Sequence, residues 1–362
     1  MLIMLVFAAS GCRNGEDTWL PDPSNDTVLK GTPISENLFI GIPGDMAVAG
    51  DTLIFVDVHD GKMVTVLDIG TGKSYRAINK GRGAGEFLKI RQIFYSPAKG
   101  ETGLFDPTAS RISWFRSSTS GALFSLEDLV RTDSLPQRYS GCDFVPVGTG
   151  YVSNGNFDEK YQFAYWRSVS SDPEYFGVYP GDNTEAESAG HAFFLKTQTV
   201  LASRPDRQFF AAAGTHDDQL VFYRYTDGKM EKVKEYFCTD SKLIPESSQS
   251  GETFIFSTTI PDDALYMFSD LYATQDFLYA AYRGQTRQEV EDMSSGKYLK
   301  NRILKFDWSG RFIAGYQVDF LTDFVVDEDA GAIYAFVTDG TSDTLMKYSV
   351  SGAKGWQTAA AI

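Results

Sequence analysis

The sequence predicts an all-β fold, a six-bladed β-propeller of four-stranded antiparallel blades around a central channel. Three observations predict it. A pattern of short apolar strands separated by turns recurs six times along the chain. Turn-forming residues, 33 Gly and 13 Pro, are spread over the whole length rather than gathered in linkers. Hydrophobic residues make up 43% of the 362 and aromatics 14%, which supplies a large packed core and excludes a generally disordered chain.

The first element is an address rather than part of the propeller. Met1 to Gly11 reads MLIMLVFAASG, an apolar stretch of signal-peptide length, shorter than the ~20 residues of a membrane-spanning helix. Its Ala9-Ser10-Gly11-Cys12 ending resembles a bacterial lipobox, in which the Cys thiol takes a diacylglyceryl group and becomes the new N-terminus. Two features depart from that pattern: Ala9 stands where Leu is usual, and no Lys or Arg precedes Cys12. An ordinary cleaved N-terminus is therefore the competing reading. The following RNGEDTWLPDPSNDT is polar, Pro-containing and aperiodic, which suits a tether. The chain divides accordingly into a signal peptide over 1–11, a lipidated Cys12 and flexible tether over 12–35, and a propeller over 36–362.

The propeller units come next. The clearest copies are DMAVAGDTLIFVDVHDGKMVTVLD from Asp45, QIFYSPAKGETGLFDPTASRISWF from Gln92 and DFVVDEDAGAIYAFVTDGTSDTLMKYSV from Asp323, with fainter ones from Asp143, Gln198 and Asp270. Second strands align on Leu53, Leu104, Tyr151, Phe209, Leu278 and Ile333, a spacing near ~50 that suits four strands per blade. A two-domain β-sandwich is the competing all-β fold, but it does not demand one unit repeated from residue 45 to residue 350. Ring closure needs a strand from one terminus, for which Glu36 to Ile42 (ENLFIGI) is the first candidate and the C-terminal GWQTAAAI the second. The charged run Arg287 to Arg302 reads as a solvated hairpin inserted in the fifth unit, and accounts for the longest interval between units.

Of three Cys, Cys142 and Cys238 flank apolar strands and read as two separate, mostly buried thiols; no CxxC or Cys/His cluster offers a zinc site. The glycines of GRGAGEF, at 81, 83 and 85, fit neither the GxGxxG nor the GxxxxGK[ST] phosphate loop, so the segment reads as a turn joining blades one and two. GxSxG-type and HExxH-type motifs are absent.

The lipobox, the tether, GRGAGEF and the LFDPTASRISWF hairpin from Leu104 to Phe115 together resemble the TolB-like six-bladed propeller lipoproteins of Bacteroidetes. The resemblance runs from Cys12 to about Gly352 and is most specific over Gly50 to Phe115. Glu16 and Asp17, soon after Cys12, look like the surface-export signals of such lipoproteins. The family implies a propeller anchored in the outer membrane by lipid; it brings no established reaction and no catalytic residues to carry over.

Chemistry is sought in the residues that open the six inner strands: Asp45, Gln92, Asp143, Gln198, Asp270 and Asp323. If all six face the channel, four carboxylates and two amides converge, where repulsion raises carboxyl pKa values or recruits a cation. Such hard oxygen donors suit Ca²⁺ better than Zn²⁺. The plainer reading is that these side chains cap strand ends by accepting backbone N–H groups, or line a water-filled channel. His59 and His216 fall in the turns between second and third strands of blades one and four, opposite one another in a six-fold ring, and are the candidates for a general base. His191 has no partner that sequence identifies. Trp114, Tyr165 and Trp166 read as packing between blades rather than a sugar platform.

The net charge of −15 argues against a nucleic-acid partner and against direct binding to an anionic bilayer. Two functions survive. The favoured one is a monomeric envelope lipoprotein whose channel face binds a protein, peptide or small polar ligand without catalysis. The alternative is a Ca²⁺-dependent hydrolase or lyase at the channel mouth.

Overall fold

The computed structural model describes residues 10–11, 18–34, 38–116, 123–135, 143–155, 161–168, 171–180, 197–250, 253–295 and 299–352. Strand alternation decides their arrangement. Along Thr52–His59, Leu53 and Phe55 lie on one face and Ile54 and Val56 on the other, and all four are buried. A sheet apolar on both faces must be covered on both. Leu53 and Phe55 pack against Tyr334 and Phe336 on one side, while Ile54 and Val56 pack with Leu104 and Phe115 on the other.

The six sheets that satisfy this rule follow one another along the chain. Blade one comprises Pro43–Ala49, Thr52–His59, Lys62–Asp68 and Ser74–Asn79; blade two comprises Gln92–Ser96, Glu101–Asp106, Arg111–Arg116 and Leu129–Ser134. Blade three comprises Phe144–Val147, Gly150–Asn154, Tyr161–Trp166 and Glu174–Val178; blade four comprises Thr199–Ser203, Phe209–Gly214, Leu220–Thr226 and Lys229–Phe237. Blade five comprises Leu265–Ala273, Phe277–Thr286, Lys300–Asp307 and Phe312–Asp319; blade six comprises Leu321–Asp327, Ala332–Thr338 and Asp343–Ser349, completed by Gly31–Pro33. Six large apolar clusters sit one at each joint between adjacent blades. Each fully buried Leu, Ile, Val or Phe in them contributes about 1.5–3 kcal/mol of transfer free energy. Trp114 and Trp166 fill the joint of blades two and three, and Tyr165 that of blades three and four.

The closing strand is not ENLFIGI. Gly31–Pro33 runs antiparallel to Asp343–Ser349, pairing Met346 with Pro33 and Tyr348 with Gly31. The reason is distance: the chain must then travel from the outer edge of blade six to the inner strand of blade one, three strand spacings of roughly 4.8 Å each, and residues 34–42 are consumed by that crossing. Leu38 and Ile40 pack down onto the joint of blades six and one, leaving Phe39 and Ile42 exposed. The C-terminal alternative lies outside the described residues.

Much of the segment expected to be a flexible tether is strapped to the ring. The Trp19 ring stacks on Tyr236 at 4.4 Å, and its indole N–H donates to the Asp218 carbonyl at 2.8 Å. Asp26 accepts two hydrogen bonds from Arg302, at 2.5 and 3.0 Å. Thr27–Val28 then adds in parallel to the outer strand of blade five. The strap thus touches blades four, five and six in turn. Of the signal-type segment, only Ser10 and Gly11 are described, paired in parallel with Tyr236 and Phe237; Cys12 lies outside the described residues.

Two further expectations change. The longest interval between units is filled by an additional hairpin, Ile244–Ser250 with Thr253–Thr259, which belongs to no blade. The run from Arg287 instead begins with a short helix, Arg287–Glu291, because Thr286 and Glu289 form a reciprocal capping box. Cys238 is disulfide-bonded rather than a free thiol; the other two cysteines, Cys12 and Cys142, lie outside the described residues.

Candidate functional site

A cavity of about 1210 Å³ occupies the channel, from the residues that open the inner strands to the turns joining inner and second strands. Asp45, Gln92, Asp143, Asp270 and Asp323 line it, whereas Gln198 does not. The inner strands place them, and a recurrent hydrogen bond holds them. Asp45 accepts the Ile93 N–H at 2.5 Å, Gln92 accepts the Phe144 N–H at 3.1 Å, and Asp270 accepts the Phe324 N–H at 3.4 Å. Each donor immediately follows the equivalent residue of the next blade. The side chains are therefore clasps between neighbouring blades, and Asp45 and Asp270 also accept their own i+1 N–H groups, from Met46 and Leu271.

The clasp varies at other joints. Between blades three and four, Asn154 accepts the Asp143 N–H at 2.8 Å and donates to the Thr199 carbonyl at 2.7 Å. Asp143 itself binds the Arg91 guanidinium at 2.5 Å. Gln198 offers its carbonyl to the Thr215 N–H at 2.8 Å. The Asp323 carboxylate accepts no hydrogen bond among the described residues, its backbone being paired with the second strand of blade six.

Protein surrounds these carboxylates on most sides, although each keeps some surface on the cavity. Burial, followed by the charges of Asp323 and Asp143, pushes the Asp45 carboxyl up to about 8. Burial and then Asp323 and Asp45 hold Asp270 well above the ordinary carboxylate range. Asp323 is raised to about 6 by burial, opposed by the nearby Arg283 cation. Asp143 is raised by burial against the opposing pull of Arg91. Desolvation thus outranks the mutual repulsion that the sequence suggested.

Asp45 and Asp270 spend both carboxylate oxygens on backbone N–H groups, and among the described residues no three His, Cys, Asp or Glu side chains converge closely enough to hold a metal ion.

The wider cavity is electrically lopsided. Blades five, six and one contribute eight carboxylates, from Asp45 to Glu328 and Asp329, and no Lys or Arg to the lining. Blades two, three and four contribute Arg91, Arg204 and Arg207 with only Asp143 and Asp206. Two of those arginines are already paired: Arg91 with Asp143, and Arg204 with Asp206 at 2.6 Å. Arg207 has no carboxylate at ion-pair distance among the described residues. Its backbone takes a left-handed conformation (φ 63°), fixed by Gly148 donating to its carbonyl at 2.7 Å and by its own N–H donating to Arg204 at 2.8 Å. The guanidinium lies 5.2 Å from the Trp114 ring centre, with Nη2 buried and lacking an acceptor.

The histidines stand elsewhere. His59 Nδ1 is 3.1 Å from Asp57 Oδ1. Asp57 is fully buried and also holds the Gly41 N–H at 2.7 Å, the Thr65 hydroxyl at 3.0 Å and the Arg76 guanidinium. His216 sits 3.2 Å from the Leu265 carbonyl with its ring against Tyr266, and burial lowers its pKa. Neither imidazole lines the cavity. His191 lies outside the described residues. GRGAGEF is the expected blade-to-blade turn, folded around Glu86, which accepts the Gly83 N–H at 2.8 Å. Arg207 and the Asp57 knot escaped sequence reasoning; the only sequence signal for Arg207 is its place in a Pro-Asp-Arg turn.

A family model described as TolB-like 6-blade propeller-like matches residues 23–329. No curated protein matches the sequence. Among solved structures, a duf4221-family member from Bacteroides vulgatus is similar at 10% identity and TM-score 0.52, covering 90% of this chain and 98% of its own. A putative exported protein from Bacteroides fragilis is similar at 12% identity and TM-score 0.48, with 88% and 94% covered. An auxiliary nutrient binding protein from Bacteroides thetaiotaomicron is similar at 9% identity and TM-score 0.48, with 86% and 69% covered. At these identities the likeness concerns the fold alone.

Proposed function

The chain belongs to the TolB-like six-bladed propeller family, and on that premise we propose that it is a non-enzymatic binding protein of the bacterial envelope that takes a small polar ligand in its channel. The observation that carries this reading is the cavity itself: about 1210 Å³, with charged side chains set among apolar and aromatic ones, and room for a ligand of several linked groups. Three of the ring residues that suggested catalysis, Asp45, Gln92 and Asp270, are engaged in holding blades together, and both described histidines are held by contacts outside the cavity. A hydrolase would need a base in reach of the bound substrate, and among the described residues no imidazole lines this site. Envelope anchoring rests on the lipobox-like ending at Cys12; Cys12→Ala should release the protein from membranes, and persistence in the membrane fraction would count against lipidation.

Thermal unfolding of the full chain against a panel of sugars, organic acids, amines and peptides tests the binding reading. A true ligand at 100 times its Kd adds about 2.7 kcal/mol to the folded state, a plain rise in Tm. Ala330→Trp, at an exposed position on the cavity lining, should abolish that rise without altering the Tm of the free protein. A panel without any effect, or a rise that survives Ala330→Trp, defeats the proposal.

A further inference from the structure

We propose that the cavity is built for a short peptide with both termini free, its ammonium on the wall of blades five, six and one and its carboxylate at Arg207. This inference rests on the binding reading above and names the ligand class.

The charge distribution carries it. In a six-fold ring, blade four faces blade one. Arg207 and Asp51 occupy the same turn, between inner and second strands, on those two opposed blades, and both line the cavity. Asp51 belongs to a wall of carboxylates with no lining cation; Arg283 and Lys305 act on that wall only from behind, near Asp323 and Glu328. Across the channel, the other two lining arginines are matched by Asp143 and Asp206, so Arg207, on which Asp133 and Glu101 act only from beyond ion-pair distance, is the one lining cation without a direct carboxylate partner among the described residues. Its Nη2 is buried without an acceptor, so the protein leaves this guanidinium incompletely satisfied. A planar guanidinium backed by an aromatic ring suits a carboxylate particularly well.

A simple anion would answer Arg207 and leave the acid wall unmatched, and a simple cation would do the reverse. One molecule with both charges at opposite ends answers both walls. Volume sets its size: the cavity exceeds the roughly 300–1,000 Å³ of a site for one drug-sized ligand, so a chain of a few residues fits better than a single amino acid. The turns around the mouth also supply the Ser203 hydroxyl and the Gln275 amide oxygen for a peptide's own amide groups.

The test is calorimetric titration of the full chain with tetra-alanine in four forms: free, N-acetylated, C-amidated and doubly blocked. The free peptide should bind at least tenfold more tightly than either singly blocked form, and the doubly blocked form should give no heat. Arg207→Gln should bind free and C-amidated peptide equally while still preferring a free N-terminus, and Arg207→Lys should restore part of the discrimination. Asp51→Asn, at an exposed position, should weaken only the N-terminal preference. Equal binding of all four forms overturns the inference. So does binding of a sugar or polyamine in place of any peptide, provided Ala330→Trp blocks it, and in that case the binding reading survives. If no compound of any class binds, both readings fail together.

Discussion

Asp45 and Gln92 sit at equivalent positions and make the same bond, a side-chain oxygen accepting a backbone N–H of the next blade. The amide does this without charge, so the clasp needs an acceptor and not an anion. The carboxylate brings a burden the amide lacks, since its ionised form is poorly solvated there and faces Asp323 and Asp143. An unfolded Asp loses its proton near 3.8, whereas folded Asp45 keeps its proton up to about 8. Between those values the native state binds more protons than the unfolded one, so stability is full below about pH 4 and declines as pH rises toward 8. Asp45→Asn should flatten that decline in urea unfolding series and raise stability at pH 8 by on the order of 2 kcal/mol, less than the whole shift implies because Asp270 and Asp323 titrate with it. A mutant that keeps the wild-type slope would show that other groups govern it. With both carboxylate oxygens of Asp45 and Asp270 bonded to N–H groups and Asp143 paired with Arg91, excess Ca²⁺ after EDTA should move Tm by no more than about 1 °C; a large rise would mean the clasps open to ligate metal.

At the scale of strands, alternation was fully legible. The run Leu53, Ile54, Phe55, Val56 is apolar on both faces, a pattern only a sheet covered on both sides accepts, and the six aligned positions from Leu53 to Ile333 all fall in second strands. The closing strand was illegible for the same reason. Gly31-Thr32-Pro33 is three residues long, carries no alternation and includes a Pro, so nothing local marks it as a strand. What fits it there is its partner: a Cβ on Gly31 would lie 2.8 Å from the Tyr348 ring and 2.9 Å from the Met346 methyl. Gly31→Val should therefore lower stability by about 1–3 kcal/mol, as overpacking does, and loosen the seam, seen as faster amide exchange along Asp343–Ser349. Unchanged protection there would show that the seam does not depend on this close approach. The hairpin of residues 244–259 was missed because IPESSQS carries too few apolar residues to announce a strand.

For the whole molecule, closure is reinforced by a strap whose contacts were unreadable because each partner is far away in sequence: Trp19 reaches Asp218, and Asp26 reaches Arg302. The same holds for the candidate site. Its ring residues could be found by aligning repeats, but Arg207 acquires meaning only when Trp114 and the opposite acid wall are in place. Trp19→Ala removes a stacked ring and an indole hydrogen bond from a half-buried position, and should lower stability by about 2 kcal/mol. A mutant as stable as the parent would make the strap a passenger. Joining Gly31–Pro33 to Asp343–Ser349 has a further consequence for biogenesis. The earliest strand of the ring has no partner until the last one has been made, so the ring cannot be finished in instalments. Any copy ending before Asp343 is left with an open sheet edge on blade six, along Ala332–Thr338, and an unpaired N-terminal strand. Closure of the ring and the covering of its last sheet edge are thereby the same event, and an intermediate that lacks the seam keeps an edge open to proteases and to other chains.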